Sequence, residues 1–253
     1  MADHSVLSPS AAARWLRCPG SVGMRQQPRR DTRYTTEGTL AHFFCQELLT
    51  AAGGVSAPVS DDERREMAAL ESQFDTAEMR RHAEGYRDYV MHRVRALAAS
   101  RGTARLWVEL RLSMDEWAPG CFGTADAVIA APGELHVIDY KYGTGHRVEP
   151  YLNPQLMLYA LGALSHLGDD YDAQRVEMTI VQPRLDHIES VTMSTDALLA
   201  WGEREVRPAA AEALLPSGEA TRTPGVWCRW CPAIGCGAIG MSDSRFRNSL
   251  NDF

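Results

Sequence analysis

Residues 123–141 read GTADAVIAAPGELHVIDYK. Small and β-branched apolar residues fill both halves, and Pro132-Gly133 between them is a turn signal. The stretch therefore predicts two paired strands, the first with Asp126 near its start and the second ending in Asp139-Tyr140-Lys141. Side chains alternate across a strand, so Asp139 and Lys141 share one face. Carboxylates are the hard oxygen ligands that Mg²⁺ takes, and a metal so held lowers the pKa of a bound water and clamps phosphate oxygens. Lysine adds a compact charge beside the water or the phosphate. Two carboxylates and a lysine at the ends of paired strands thus point to phosphodiester hydrolysis.

Upstream, Arg105–Met114 alternates as a strand, with Leu106, Val108, Leu110 and Leu112 on one face and Trp107, Glu109 and Arg111 on the other. Glu109 either points at the same site as Asp126 or faces solvent. Phe122–Ala130 and Glu134–Tyr140 complete a three-stranded meander, and Leu135–Ile138 reads as buried on both faces. Downstream, Asn153-Pro154 opens a helix that Gly168 closes, with Gln155 and Tyr159 on one face of it. Val176–Gln182 and Ile188–Met193 add two strands, and Ser194-Thr195-Asp196 caps a helix running to about Leu215.

Towards the N-terminus, Ser8 is a helix cap and Pro9 a first helical residue for a short helix with Trp15 and Leu16, ending at Cys18-Pro19-Gly20. Residues 20–36 read as a polar loop, and Thr36-Glu37-Gly38-Thr39 precedes a helix from Leu40 to Ala51 with His42 in its first turn. Asp61–Ser100 is helical with one break, its apolar stripe from Met67 to Leu97 being core. The element pattern is α/β, a mixed central sheet flanked by helices.

The 253 residues can bury a substantial core, and 45% hydrophobic with 23% charged residues is ordinary for a soluble globular chain. No apolar run approaches the roughly 20 residues that cross a bilayer, and Met1-Ala2-Asp3-His4 has no signal-peptide pattern, so a cytoplasmic protein is expected. Net charge is −7, yet Arg14, Arg17, Arg25, Arg29, Arg30 and Arg33 gather near the N-terminus as a solvated face or a phosphate-contacting patch. Six cysteines in such a chain suggest ligands or free thiols rather than disulfides. Cys228-Arg-Trp-Cys231-Pro-Ala-Ile-Gly-Cys236 offers three thiolates, and Cys18 is the obvious fourth, for zinc or an iron–sulfur cluster. Cys45 and Cys121 read as small buried residues.

Gly123-Thr-Ala-Asp126, Asp139-Tyr-Lys141 and Gln155-x-x-x-Tyr159 resemble motifs of the PD-(D/E)XK nuclease superfamily, more narrowly its RecB-like branch of AddB-type and CRISPR-associated exonucleases. Gly38-Thr-x-x-His42 is similar to that branch's first motif, and the wording around Ser8, Glu37 and Asn153 to a phage-associated family of the superfamily. The resemblance implies a restriction-endonuclease-like core and a single domain, 1–241. It would hold an N-terminal helical part at 1–60, the nuclease core at 104–193 and a cysteine segment at 224–240 closing on Cys18, followed by a flexible tail at 242–253. It implies His42, Asp126 and Asp139 as ligands of Mg²⁺ or Mn²⁺, with the Tyr140 carbonyl as a further one. Lys141 would be the catalytic lysine, while Gln155 and Tyr159 help position DNA or the strands. Cys18, Cys228, Cys231 and Cys236 would hold a [4Fe-4S] cluster, with zinc as the alternative.

The expectation is a metal-dependent DNA exonuclease acting at single-stranded or duplex ends, with a phage recombination protein as a partner and the host cytoplasm as location if phage-encoded. The alternative is a catalytically weak DNA-binding or assembly subunit on the same scaffold, because a fold alone does not fix a function.

Overall fold

A computed structural model describes residues 5–28, 32–167 and 170–238. From the N-terminus the chain forms α1 (Ala12–Trp15), α2 (Arg33–Ala51), α3 (Asp61–Glu71), α4 (Ala77–Arg101), β1 (Arg105–Ser113), β2 (Phe122–Ala131) and β3 (Glu134–Tyr140). It continues through α5 (Pro154–Leu167), β4 (Arg175–Gln182), β5 (His187–Ser194), α6 (Thr195–Trp201) and α7 (Arg207–Ala213). Among the described residues no helix is long and apolar enough to cross a membrane.

All of β3 is buried, and the layers are built on it. Leu135, Val137 and Ile138 are each at most 1% exposed, and a large apolar side chain so buried contributes about 1.5–3 kcal/mol. β2 turns back into β3 through Pro132-Gly133, where Gly133 takes φ +77°, a conformation that costs glycine little. β1 pairs antiparallel with β2, β4 parallel with β3, and β5 antiparallel with β4. The result is a five-stranded mixed sheet in the order β1-β2-β3-β4-β5. Parallel neighbours need a crossover, and α5 supplies it.

One face of the sheet carries α2 and α4, where Leu40, Phe44, Tyr86 and Val90 meet Ile129 and Ile138. The other carries α5 with α1, α6 and α7, where Trp15, Leu158 and Val206 share a core with Val128, Val137 and Met178. The expected α/β layering is therefore present.

Several local expectations change. Ser8 makes no capping bond, its hydroxyl lying 3.4 Å from that of Ser10 instead, and the first turn is 3-10 before α1 begins. The second helix begins at Arg33 rather than Leu40, because Thr32 and Thr35 form a reciprocal capping box; Gly38 consequently lies inside α2. The helix after Ser194, whose hydroxyl accepts the Ala197 N–H at 3.2 Å, is interrupted by a π turn over Gly202–Val206. Pro208 explains the interruption, since it offers no amide to the preceding turn and its ring crowds the carbonyl there. Gly168 and the tail at 242–253 lie outside the described residues.

Candidate functional site

The ladder between β2 and β3 runs from Ala131↔Glu134 to Ala127↔Ile138. The next residues in register are Asp126 and Asp139, and there the strands part. The Tyr140 N–H donates to Asp126 Oδ2 at 2.6 Å, so a side-chain carboxylate replaces the ladder. On the other flank of β2, the register skips from Val108↔Ala127 to Leu110↔Ala125. The skipped pair is Glu109 and Asp126, and Glu109 holds φ +49°, a left-handed conformation that strains a side-chain-bearing residue.

That backbone reset also exchanges faces. Leu106 and Val108 belong to the α2–α4 core, but Leu112 belongs to the α5 core; on β2, Ala127 and Ala125 divide the same way. The expectation that Leu106 to Leu112 share one face is thus corrected. Uniform alternation fails at Glu109, and the failure brings its carboxylate to α2.

On α2, His42 Nδ1 stands 3.2 Å from Asp126 Oδ1 and 3.8 Å from Glu109 Oε1. Its ring meets the edge of Tyr140, centroids 5.6 Å apart. One ligand atom from each of His42, Glu109 and Asp126 falls within 4.8 Å of the others, a grouping suited to a cation. Burial opposes charge on His42, but Asp126 and Glu109 outweigh it and raise its pKa well above 6.5. Burial likewise raises Glu109, although His42 opposes it. Asp126 is held low despite its burial, by His42, Lys141 and the Tyr140 amide.

Asp139, 3% exposed, lies outside that group of three. Lys141 Nζ donates to its Oδ1 at 3.1 Å and to Gln155 Oε1 at 3.1 Å, and Gln155 Nε2 donates to the same Oδ1 at 3.2 Å. Nζ is also 2.8 Å from Oδ2, but off the angle of a hydrogen bond, leaving Oδ2 a buried acceptor without a hydrogen-bond partner. Burial disfavours the Lys141 charge, yet Asp139 and Asp126 prevail and keep it protonated. Burial and the Asp126 charge raise Asp139 against the pull of Lys141. Gln155 is presented by the first turn of α5, whose cap is Asn153 Oδ1, accepting the Gln155 N–H at 3.1 Å.

The sequence-predicted residues therefore fall into two touching sets, His42 with Asp126, and Asp139 with Lys141 and Gln155. Tyr140 joins through its amide. Tyr159 is buried, its ring against Gly123, where a Cβ would come within 3.0 Å of Tyr159 Cε1 and 3.1 Å of Pro9 Cγ. It supports the β2 strand from below. Glu109, left open by the sequence, belongs to the site; only its register opposite Asp126 could have signalled that.

Cys18, Cys228, Cys231 and Cys236 line one small cavity together with Arg14 and Trp227. Main-chain bonds bring the two ends of the chain there: Gly20 N–H to the Thr221 carbonyl at 2.8 Å, Gln27 N–H to Pro232 at 2.9 Å and Ile234 N–H to Arg25 at 2.9 Å. Burial and the sulfurs of Cys231, Cys18 and Cys236 raise the Cys228 thiol, against the Gly225 N–H that it accepts. Four thiols on one cavity are a donor set for zinc or for an iron–sulfur cluster alike. Cys45 and Cys121 are buried away from this group, Cys121 Sγ donating to the Leu7 carbonyl at 2.9 Å.

The described arginines of the N-terminal run have separate surroundings. Arg14 turns inward to Ser21 Oγ at 2.7 Å, Arg17 is exposed beside α1, and Arg33 lies over the Phe74 ring at 5.4 Å. Arg29 and Arg30 lie outside the described residues.

A family model described as a protein of unknown function, DUF2800, matches residues 4–239. The chain belongs to that family. A solved structure titled "Crystal structure of SSO0001" is similar over 76% of this chain and 93% of its own, at 12% identity and a TM-score of 0.30, too slight a likeness to bear on fold or function.

Proposed function

We propose that the protein is a metal-dependent deoxyribonuclease of the PD-(D/E)XK, RecB-like kind, hydrolysing phosphodiester bonds at DNA ends. The observation that carries this reading is the parting of β2 and β3, which sets the His42–Glu109–Asp126 group beside the Asp139–Lys141–Gln155 chain. Mg²⁺ or Mn²⁺ suits this donor set of two carboxylates and an imidazole, with Asp139 Oδ2, which accepts no hydrogen bond but is ion-paired with Lys141, as a further oxygen. When bound, such a cation supplies a Lewis acid for the phosphate and a water of lowered pKa.

The chain's own residues prepare the rest. Asp126 and Glu109 keep His42 in place, with the Tyr140 ring behind it. Asp139 and Gln155 hold the Lys141 ammonium still and protonated, so it offsets charge on the phosphate or orients the water and does not act as a base. Preorganised charge of this kind stabilises a transition state without reorganisation at the moment of reaction. The four-cysteine cavity fits a [4Fe-4S] cluster whose part is structural, joining the N- and C-terminal segments around the domain.

The test is cleavage of end-labelled single- and double-stranded DNA with Mg²⁺ or Mn²⁺ by the protein purified without oxygen. Parent activity that vanishes in Asp139→Ala and Lys141→Ala, both folded, is the expected result. Variants that digest DNA like the parent would overturn the assignment of the site. A parent that binds DNA without cutting it would favour the scaffold reading instead.

A further inference from the structure

A cleft of about 450 Å³ opens onto His42 and Glu109 from between α2 and α3. Its walls carry Phe43 and Met67 as apolar surface, Thr39 and Gln46 as neutral polar groups, and Glu63 as an acid, with no Lys or Arg among the described lining residues. Gly38 also lines it and lies four residues before His42, on the same face of α2.

Glycine inside a helix is destabilising relative to alanine, so its presence there asks for a reason. Packing against the described chain is not that reason, because among the described residues a Cβ at Gly38 would meet nothing within 4 Å. Gly85 in α4 is equally open, but it faces solvent and lines no such cleft. At Gly38 the missing Cβ leaves the cleft wall bare, one turn from the candidate metal ligands.

We propose that this cleft receives one unpaired nucleoside of a DNA strand whose phosphate sits at the His42–Glu109–Asp126 group. This deepens the nuclease reading and rests on it. The volume falls in the roughly 300–1,000 Å³ range of small-ligand pockets. Away from His42 the described lining is neutral or acidic, which accepts a neutral base and sugar more readily than a phosphate. Phe43 offers a face for stacking, which tolerates any base, and Thr39 and Gln46 offer hydrogen bonds to its edge. Gly38 lets the sugar approach the helix backbone closely. The substrate is therefore a strand with at least one unstacked nucleotide, and a paired end must open to enter.

The experiment compares the parent with Gly38→Ala and Gly38→Leu. Binding of a fluorescent single-stranded oligonucleotide is followed by anisotropy in Ca²⁺, and cleavage of the same strand in Mn²⁺. Both variants should melt no lower than the parent, since a better helix former replaces glycine. Gly38→Ala should bind about fivefold more weakly and Gly38→Leu at least tenfold more weakly, with matching losses of cleavage. Should Gly38→Leu bind and cut like the parent, the cleft is not the nucleoside site, while the parent's cleavage leaves the nuclease reading standing. A parent that binds the strand through Gly38 but never cuts it would sink the nuclease reading alone. No binding by the parent would sink both.

Discussion

His136 sits in the middle of β3 and is 0% exposed. Its Nε2 is 2.7 Å from Thr179 Oγ1, which is itself 2.7 Å from Ser190 Oγ, while Nδ1 is buried with no hydrogen-bond partner. Glu177 lies 3.9 Å from Nε2 but is paired with Arg93. Burial, with the Arg93 charge nearby, lowers the His136 pKa from 6.5 to about 3. The imidazole is neutral in the folded protein at every pH where the unfolded chain would begin to charge it. Its folded pKa is depressed, so the unfolded state binds the extra proton below pH 6.5 and stability falls as pH drops towards 3. The slope approaches about 1.4 kcal/mol per pH unit, which amounts to about 2 kcal/mol between pH 7.5 and 5.

His136→Gln removes the titration and keeps a side chain able to reach Thr179. Urea unfolding of both proteins at pH 7.5 and 5 isolates this residue, since all other groups titrate alike in the two. The parent should lose about 2 kcal/mol more than the variant over that interval. Equal losses would refute the argument, showing that His136 is charged in the fold or that water reaches it.

Mn²⁺ at a hundred times its Kd should raise stability by about 2.7 kcal/mol, and Asp126→Asn should erase that gain in a thermal melt. Asp139→Asn removes the anion that keeps Lys141 charged, and cleavage should fall about 10²–10³-fold with the far-UV spectrum unchanged. Gly123→Ala forces a Cβ against Tyr159 and Pro9, and should cost about 1–3 kcal/mol in urea unfolding. Protein purified anaerobically should contain iron and sulfide, and Cys18→Ala should lose both together with resistance of the C-terminal segment to protease; a colourless parent with one zinc per chain would reject the cluster.

The strands, their pairing and the crossover helix were legible because each carries its own period and its own punctuation. Leu135–Ile138 holds apolar residues on both faces and Glu134–Tyr140 is buried on both, and Pro132-Gly133 can hardly be anything but a turn. Asp126, Asp139, Lys141 and Gln155 could be named from spacing because α5 and β3 are regular up to the site. What stayed hidden is irregular. Glu109 leaves the β1 pleat where its partner across the ladder is Asp126, a fact of register that no local pattern contains. The early start of α2 was concealed by Gly38, whose low helix propensity reads as a boundary although Thr32 supplies the cap. Arg14 looked like a free cation until the chain ends met around Ser21 and the cysteines.

These misses share a cause that bears on function. Local rules fail at Glu109 and Gly38, and both failures lie within reach of His42. A left-handed glutamate, a helix glycine with nothing to pack against and a buried carboxylate oxygen without a hydrogen bond are each costs to the folded chain. Alanine at 38 would strengthen α2, so a position that keeps glycine there marks a place where the helix trades stability for an open wall. Gathered around one opening, the three features are what a ligand site needs, whether the ligand is cut there or only bound. The stability given up there is recovered in β3 and the two cores that cover it, where every residue from Glu134 to Tyr140 is buried.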